Sequence, residues 1–415
     1  MKNEYEYTVV DRFLKYVKYD TQSAEGSDKY PSTAKQKILG EELVKELIAI
    51  GLSDAQMDEY GYVTATLKSN SDKKIPTIGL IAHLDTSPDV TGASVNPIVH
   101  RKYQGGDIVL PGDSSQIIRF VENPHLANQL GNRIITSDGT TLLGADNKAG
   151  IAEIFDAIHY LVRRPEIKHG KIRIAVTPDE EVGQGTKYFD ILKFGADYAY
   201  TIDGGALGEV EDETFCADSV TVKITGKNVH PGYAKNKMIS AIKIAARIIE
   251  KLPKDRLSPE TTEKREGYIH PNTIAGGVEE TTIKFLIRDF EIEGLKQHEA
   301  FLNDLINQVM KDFPEAKLEF NIEESYRNMK YQLDKAPHVV NYAVEAVRRA
   351  GIEPQQSIIR GGTDGAKLSF EGLLTPNIFT GGHNFHSKLE WISIEDMQKA
   401  VDVIVNLVRI WEEKS

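Results

Sequence analysis

Thr77-Ile-Gly-Leu-Ile-Ala82 offers an extended chain almost no polar face. A strand of that kind has to be covered on both sides, as strands are in parallel sheets flanked by helices. Further strands are expected at Tyr62–Leu67, Lys171–Thr177 and Tyr198–Ile202. Around them, apolar residues recur at helical spacing. Val10, Phe13, Leu14 and Val17 do so within residues 4–18, and Ile151, Ile154, Phe155 and Ile158 do so after a turn at Gly144. Leu39, Leu43, Leu47 and Ile50 mark a helix that starts near Ser32 and stops at Gly51. A short helix is expected near Thr186–Phe194. Strands alternating with helices predict an α/β fold, a mostly parallel sheet with helices on both faces. Thr86–Arg133, with Pro, Gly and Asn scattered through it, predicts a long irregular loop of the kind that is functional or covered by something else.

After about Asp212 the rhythm changes. An alternating strand at Asp218–Thr225, a helix at Lys235–Leu252, a strand pair at Tyr268–Gly277 and Thr281–Phe290, a helix at Gly294–Phe313 and a strand at Lys317–Ile322 make a β-α-β-β-α-β order. That is the ferredoxin-like α+β unit. From Tyr326 the first pattern resumes with helix Pro337–Ala350, strand Ser357–Ile359, helix Asp364–Phe370, strand Thr375–Phe379 and helix Ser393–Glu412. The expected organisation is therefore a domain over 1–212 and 326–415 with a smaller one, 213–325, inserted into it. A chain of 415 residues is long enough for two cores.

The formal charge of -12 argues against nucleic acid or an anionic membrane as partner, because phosphates would be repelled over most of the surface. The single cysteine, Cys216, has no internal partner for a disulfide. The N-terminal residues MKNEYEYTVVDRF carry acids and no apolar segment, and no apolar run approaches the length of a membrane span. A cytoplasmic location is expected.

Five segments place carboxylates or imidazoles at the expected ends of apolar strands. In Ile81-Ala-His83-Leu-Asp85, residues two apart share a face, so His83 and Asp85 point the same way, and a carboxylate beside an imidazole fixes its tautomer for metal ligation. Read singly, the pair is also compatible with a surface histidine and a helix cap. Asp146 stands where the Gly144 turn hands over to a helix, a position that on its own suits an N-cap. Thr177-Pro-Asp-Glu180-Glu181 delivers adjacent carboxylates into a turn ending at Gly183, which suits one ligand and one general base. Asp203 precedes two glycines. In Gly381-Gly-His383-Asn-Phe-His386-Ser-Lys-Leu-Glu390, His383 and His386 compete for one role. Carboxylates and imidazoles gathered at the carboxyl ends of strands suit zinc, with cobalt or manganese as substitutes because no ligand cysteine is offered.

The motifs IAHLDT, LLGADNKAG, TPDEEVG, IDGG and GGHNFHSKLEW, in this order, resemble the M20 family of di-zinc peptidases, and within it the branch of tripeptide aminopeptidases. The resemblance implies two Zn2+, one held by His83 and Asp203, the other by Glu181 and His386, with Asp146 bridging them. It implies Asp85 as the group that orients His83, Glu180 as general base, and a cis bond between Asp146 and Asn147. It favours His386 over His383. In Asn228-Val-His230-Pro-Gly232, His230 resembles the histidine of the family's lid, which donates to the oxyanion. Arg360 with the flexible Gly361 and Gly362 suits a terminal carboxylate, held by two parallel hydrogen bonds. Asn272 and Arg288 are substrate contacts by resemblance, although Arg288 on a sheet face is equally suited to a salt bridge. The expected reaction is release of the N-terminal residue from tripeptides: a water shared by the cations loses a proton to Glu180 and attacks the peptide carbonyl. A dipeptidase, a carboxypeptidase or an N-acyl amino acid amidohydrolase would share this core. A non-catalytic binding protein would have no need of Glu180. Pairing of two chains through the inserted domain occurs in some relatives, so a homodimer is a further expectation.

Overall fold

The computed structural model describes residues 5–415; residues 1–4, where the expected first domain and first helix begin, lie outside them. The chain divides into two units. One comprises the chain up to Asp212 together with Tyr331–Ser357 and Thr363–Ser415, and the other comprises Glu213–Lys330 with Ile358–Gly362. The short run Ile358–Gly362 thus groups with the inserted unit, not with the segment that follows it. The reason is Arg360, whose guanidinium donates to the carbonyls of Lys264 at 2.6 Å and Glu266 at 2.9 Å.

The main sheet of the first unit has the order Gln56–Met57, Val63–Leu67, Ile172–Thr177, Ile78–His83, Tyr198–Ile202, Asn377–Ile378, Glu209–Thr214, Gln355–Ile359. Its centre is parallel: Ile78–His83 runs alongside both Ile172–Thr177 and Tyr198–Ile202, and Asn377–Ile378 runs alongside Tyr198–Ile202. Its flanks are antiparallel. All six residues of Ile78–His83 are buried, as an apolar run without a polar face requires. The parallel centre brings His83, Thr177 and Ile202 to one edge, so the residues that follow them in the chain emerge together.

The region Thr86–Arg133 differs from expectation. It contains the short strands Ile98–His100, Ile108–Val109 and Ile117–Ile118 and packs Tyr103, Ile108, Leu110, Ile118 and Leu126 around Trp391. A small antiparallel sheet in the order Gly382–His383, Trp391–Ser393, Ile134–Thr136, Ile98–His100 ties this region to the segment around His386. The helix expected near Thr186–Phe194 is confined to Ile191–Phe194. Before it, the Tyr188 N–H donates to the Tyr62 hydroxyl at 3.2 Å instead of entering a helical ladder, and Asp190 Oδ1 caps the helix by accepting from Lys193 N.

The second unit has a four-stranded antiparallel sheet in the order Tyr268–Gly276, Glu280–Asp289, Cys216–Thr225, Lys317–Tyr326, with helices Ala241–Lys251 and Ile292–Met310. Val220, Val222 and Ile224 alternate inward on their strand and pack with Ile244, Ile248, Leu302 and Ile306 of the helices. Among the described residues no helix is long and apolar enough to cross a membrane.

Candidate metal centre

Asp146 sits between two groups of donors. His83, Asp146 and Asp203 form one, and Asp146, Glu181 and His386 form the other. His83 Nε2 lies 2.9 Å from Asp146 Oδ1 and 3.7 Å from Asp203 Oδ1. His386 Nε2 lies 2.8 Å from Glu181 Oε2 and 3.4 Å from Asp146 Oδ2. Each carboxylate oxygen of Asp146 therefore faces a different imidazole. Two donors that each stand about 2.1 Å from a common tetrahedral ion are about 3.4 Å apart, and these spacings cluster around that value.

The local chain explains how Asp146 reaches this place. Gly144 has a φ of 84°, and the residues after Ala145 leave helical geometry, with a cis bond between Asp146 and Asn147. Asn147 Nδ2 donates to Ile202 O at 2.9 Å, and a Cβ on Gly150 would meet that same carbonyl at 2.0 Å. The start of the helix is thereby pressed onto the strand end that carries Asp203. Glu390, fully buried, grips the other side: Oε2 accepts the N–H groups of Leu143 and Gly144, each at 2.8 Å, and Oε1 accepts that of Asp146 at 3.0 Å.

Asp85 performs two tasks. His83 Nδ1 lies 3.1 Å from the Asp85 backbone O and 3.3 Å from Asp85 Oδ1, and the two carboxylate oxygens of Asp85 accept the backbone N–H groups of Glu180 at 3.0 Å and Glu181 at 3.2 Å. Asp89 stands 3.4 Å from His386 Nδ1 in a comparable relation. His383 lies elsewhere, its ring stacked 4.1 Å from Trp391 and 4.7 Å from His125, where burial pushes its pKa down to about 3.

Electrostatics reflect the crowding of acids. Burial raises the pKa of Glu180 well above the usual range, and Asp364, Asp203 and Glu181 add to this while His83 opposes it. Burial, then the charge of Asp146, raises Glu181 to about 8. Hydrogen bonds to Asp146 and Glu181 raise His386 to about 11. Burial lowers the pKa of His83, but the surrounding carboxylates outweigh it and leave it well above its ordinary value. Protons on the imidazoles thus balance acids that a divalent cation would balance instead, and binding one would release them.

The remaining expected site residues belong to the second unit. His230 is exposed and its Nδ1 accepts from Gly232 N at 3.2 Å. Asn272 is exposed and sits at a bulge between Pro271 and Thr273, the kind of irregularity that re-aims a side chain. Arg288 donates to the carbonyls of Ile287 at 2.9 Å and Asp218 at 3.3 Å, with Tyr326 beneath it. It makes no sheet-face salt bridge among the described residues. A Cβ on Gly361 would make only an ordinary contact with Ile359 at 3.8 Å, whereas one on Gly362 would meet the Tyr326 ring at 2.7 Å.

Residues 213–317 match the M20 peptidase dimerisation domain. A peptidase T of Caldanaerobacter subterraneus subsp. tengcongensis is 51% identical over 406 residues, 98% of this chain and 99% of that relative. The peptidase T of Bacillus subtilis is 48% identical over 407 residues, again 98% and 99% of the two chains. The chain belongs to the peptidase T family of M20 metallopeptidases. Among solved structures, an aminopeptidase from Bacillus cereus superposes with a TM-score of 0.74 at 24% identity, covering 97% of this chain and 98% of that one. A tripeptidase from Staphylococcus aureus does so with 0.75 at 23% identity, covering 98% of each. At these identities the likeness is one of fold.

The donors suit the metals of such a family. Each group offers one imidazole and two carboxylates, no thiolate competes, and Glu181 Oε1 is buried without a hydrogen-bond partner among the described residues. Glu390 and Asp89 join the site without having been expected there. The one signal for Glu390 was its place at the end of the His386 motif.

Proposed function

We propose that the chain is a metal-dependent aminopeptidase that releases the N-terminal residue from tripeptides. The observation that carries the reading is the sharing of Asp146 between the two donor groups, with Glu180 on the adjoining turn. The tripeptide assignment draws on the peptidase T relatives. His83 and Asp203 would hold one divalent cation, Glu181 and His386 the other, and Asp146 both, with zinc favoured by the donor types. When bound, the cations supply Lewis acidity, which makes a water acidic near neutral pH and polarises the scissile carbonyl.

The protein's own groups do the rest. Glu180 takes the proton of the attacking water and hands it to the leaving amine, a task suited to a carboxyl whose burial has raised its pKa. Asp85 fixes the tautomer of His83 and the backbone under Glu180 in one stroke. His230 is the donor assigned to the oxyanion, and Arg360, Asn272 and Arg288, with Gly361 and Gly362, are assigned to the substrate. The inserted unit, expected over 213–325 and matching the dimerisation domain over residues 213–317, acts as a lid and as the surface through which two chains pair. A cytoplasmic location completes the reading.

The test is hydrolysis of Gly-Gly-Gly, Gly-Gly and N-acetyl-Gly-Gly-Gly, with and without chelator, by wild type and Glu180→Gln. Only the free tripeptide should be cleaved, activity should vanish on chelation and return with Zn2+, and Glu180→Gln should lower kcat by about 10²–10⁴-fold while retaining its metal. Faster cleavage of the dipeptide or the acetylated peptide would transfer the chain to the dipeptidases or amidohydrolases.

A further inference from the structure

The segment before and at the start of helix Gln36–Ile50 reaches across the first unit to the turn that bears Glu180. Asp179 immediately precedes Glu180, is buried, and has a φ of 58°, a left-handed conformation that a non-glycine residue keeps only when its surroundings hold it. Its Oδ2 accepts the backbone N–H of Ser32 at 2.5 Å. Its Oδ1 accepts the Ser32 hydroxyl at 2.5 Å and the Gln36 amide at 2.6 Å. Gln36 closes the ring, because its Oε1 accepts the Asp179 N–H at 3.2 Å. Further along the turn, the Tyr62 hydroxyl donates to Gly185 O at 2.8 Å.

Asp85 holds the same turn from its other side through the Glu180 and Glu181 amides. The Glu180 carboxylate itself receives no hydrogen bond from the described residues, so its direction is set by the backbone that carries it. We propose that Ser32, Gln36 and Asp179 form a positioning device that aims Glu180. The three residues act through the backbone of the turn, with no substrate or cation contact of their own. This rests on the reading of Glu180 as the general base.

A general base must lie within about 2.6–3.2 Å of the atom whose proton it takes, and a misplacement of about 1 Å costs on the order of a hundredfold in rate. Loosening the device therefore lowers kcat and leaves KM and the cation donors largely alone, since the Glu181 carboxylate is held in addition by His386 Nε2 at 2.8 Å, a partner the Glu180 carboxylate lacks among the described residues. The experiment compares Ser32→Ala, Ser32→Thr and Gln36→Met with wild type in the full chain loaded with Co2+. Ser32→Ala and Gln36→Met should each lower kcat on a tripeptide about ten- to hundredfold, with KM within about twofold and the visible Co2+ absorption unchanged. Ser32→Thr, which keeps the hydroxyl, should recover most of the loss. Ser32→Ala removes a single oxygen and keeps the measurement open should Gln36→Met fold poorly.

A kcat within about twofold of wild type in both variants overturns the proposal, as does a Co2+ spectrum that changes in step with activity, or a Ser32→Thr no better than Ser32→Ala. If wild type leaves tripeptides intact but cleaves another amide, the substrate assignment fails and the same variants on that amide still decide the device. A wild type inert to every amide sinks both.

Discussion

Asp146 and Arg360 represent two kinds of residue, one whose surroundings declare its task and one whose surroundings compete with it. Both oxygens of Asp146 face imidazoles. Both terminal nitrogens of Arg360 are engaged by backbone carbonyls and by the Thr262 hydroxyl, and its guanidinium lies 5.1 Å over the Phe215 ring. A charge-assisted pair with a substrate carboxylate, worth about 1.5–3 kcal/mol, has to be strong enough to compete with those contacts. Arg360→Ala is expected to raise KM for a tripeptide at least about tenfold with a much smaller change in kcat. An unchanged KM with a lowered melting temperature would give Arg360 a purely structural role. Residues with local signatures were legible in the chain: His83 and Asp85 share a strand face, and Glu180 and Glu181 follow a strand end. Glu390 and Asp179 were not, because what they hold lies far along the chain; Glu390 contacts the Asp146 amide across 244 positions. His386 was separated from His383 by family likeness alone, whereas in space the two differ by what they touch, carboxylates in one case and Trp391 in the other.

At the scale of elements, the helix Ala145–Arg163 carries a second acid that the proposed chemistry leaves aside. Glu153 is buried, and neither of its oxygens has a hydrogen-bond partner among the described residues. Burial, and then the charge of Asp396, raise its pKa well above its ordinary value of 4.5. The folded state therefore keeps a proton that the unfolded chain has already released above pH 4.5. Stability contributed by this group is present below that pH and declines as pH rises toward the folded pKa. Glu153→Gln should flatten the decline and add about 1 kcal/mol at pH 7, measured by urea unfolding across the pH range. An unaltered slope would mean that Glu153 is not the group responsible. Elements with strong periodicity, such as Ile78–His83 and this helix, show in the sequence because burial on fixed faces leaves a repeating mark. The short strands between Thr86 and Arg133 do not, since three or fewer residues hold no period: Ile108–Val109 and Ile117–Ile118 pair with each other, and Ile98–His100 with Ile134–Thr136.

For the molecule as a whole, every donor of the candidate centre belongs to the first unit, while residues 213–317 carry the dimerisation-domain match. Cation binding should therefore stabilise one unit and leave the other unchanged. At a free cation concentration about a hundred times Kd the gain is about 2.7 kcal/mol. Calorimetry should show one transition shifted downward by chelator and a second left in place. Because His83 and His386 must give up protons to bind metal, the shift should shrink as pH falls. A single transition that moves as one, or a shift that grows in acid, would contradict this. The small sheet that joins Ile134–Thr136 to Trp391–Ser393 has a consequence for synthesis. His386 leaves the ribosome only after the entire inserted unit, so a nascent chain that has already displayed His83, Asp146, Glu181 and Asp203 still lacks a donor. The donor group of Asp146 and Glu181 is thus complete only once the stretch that bears His386 folds back.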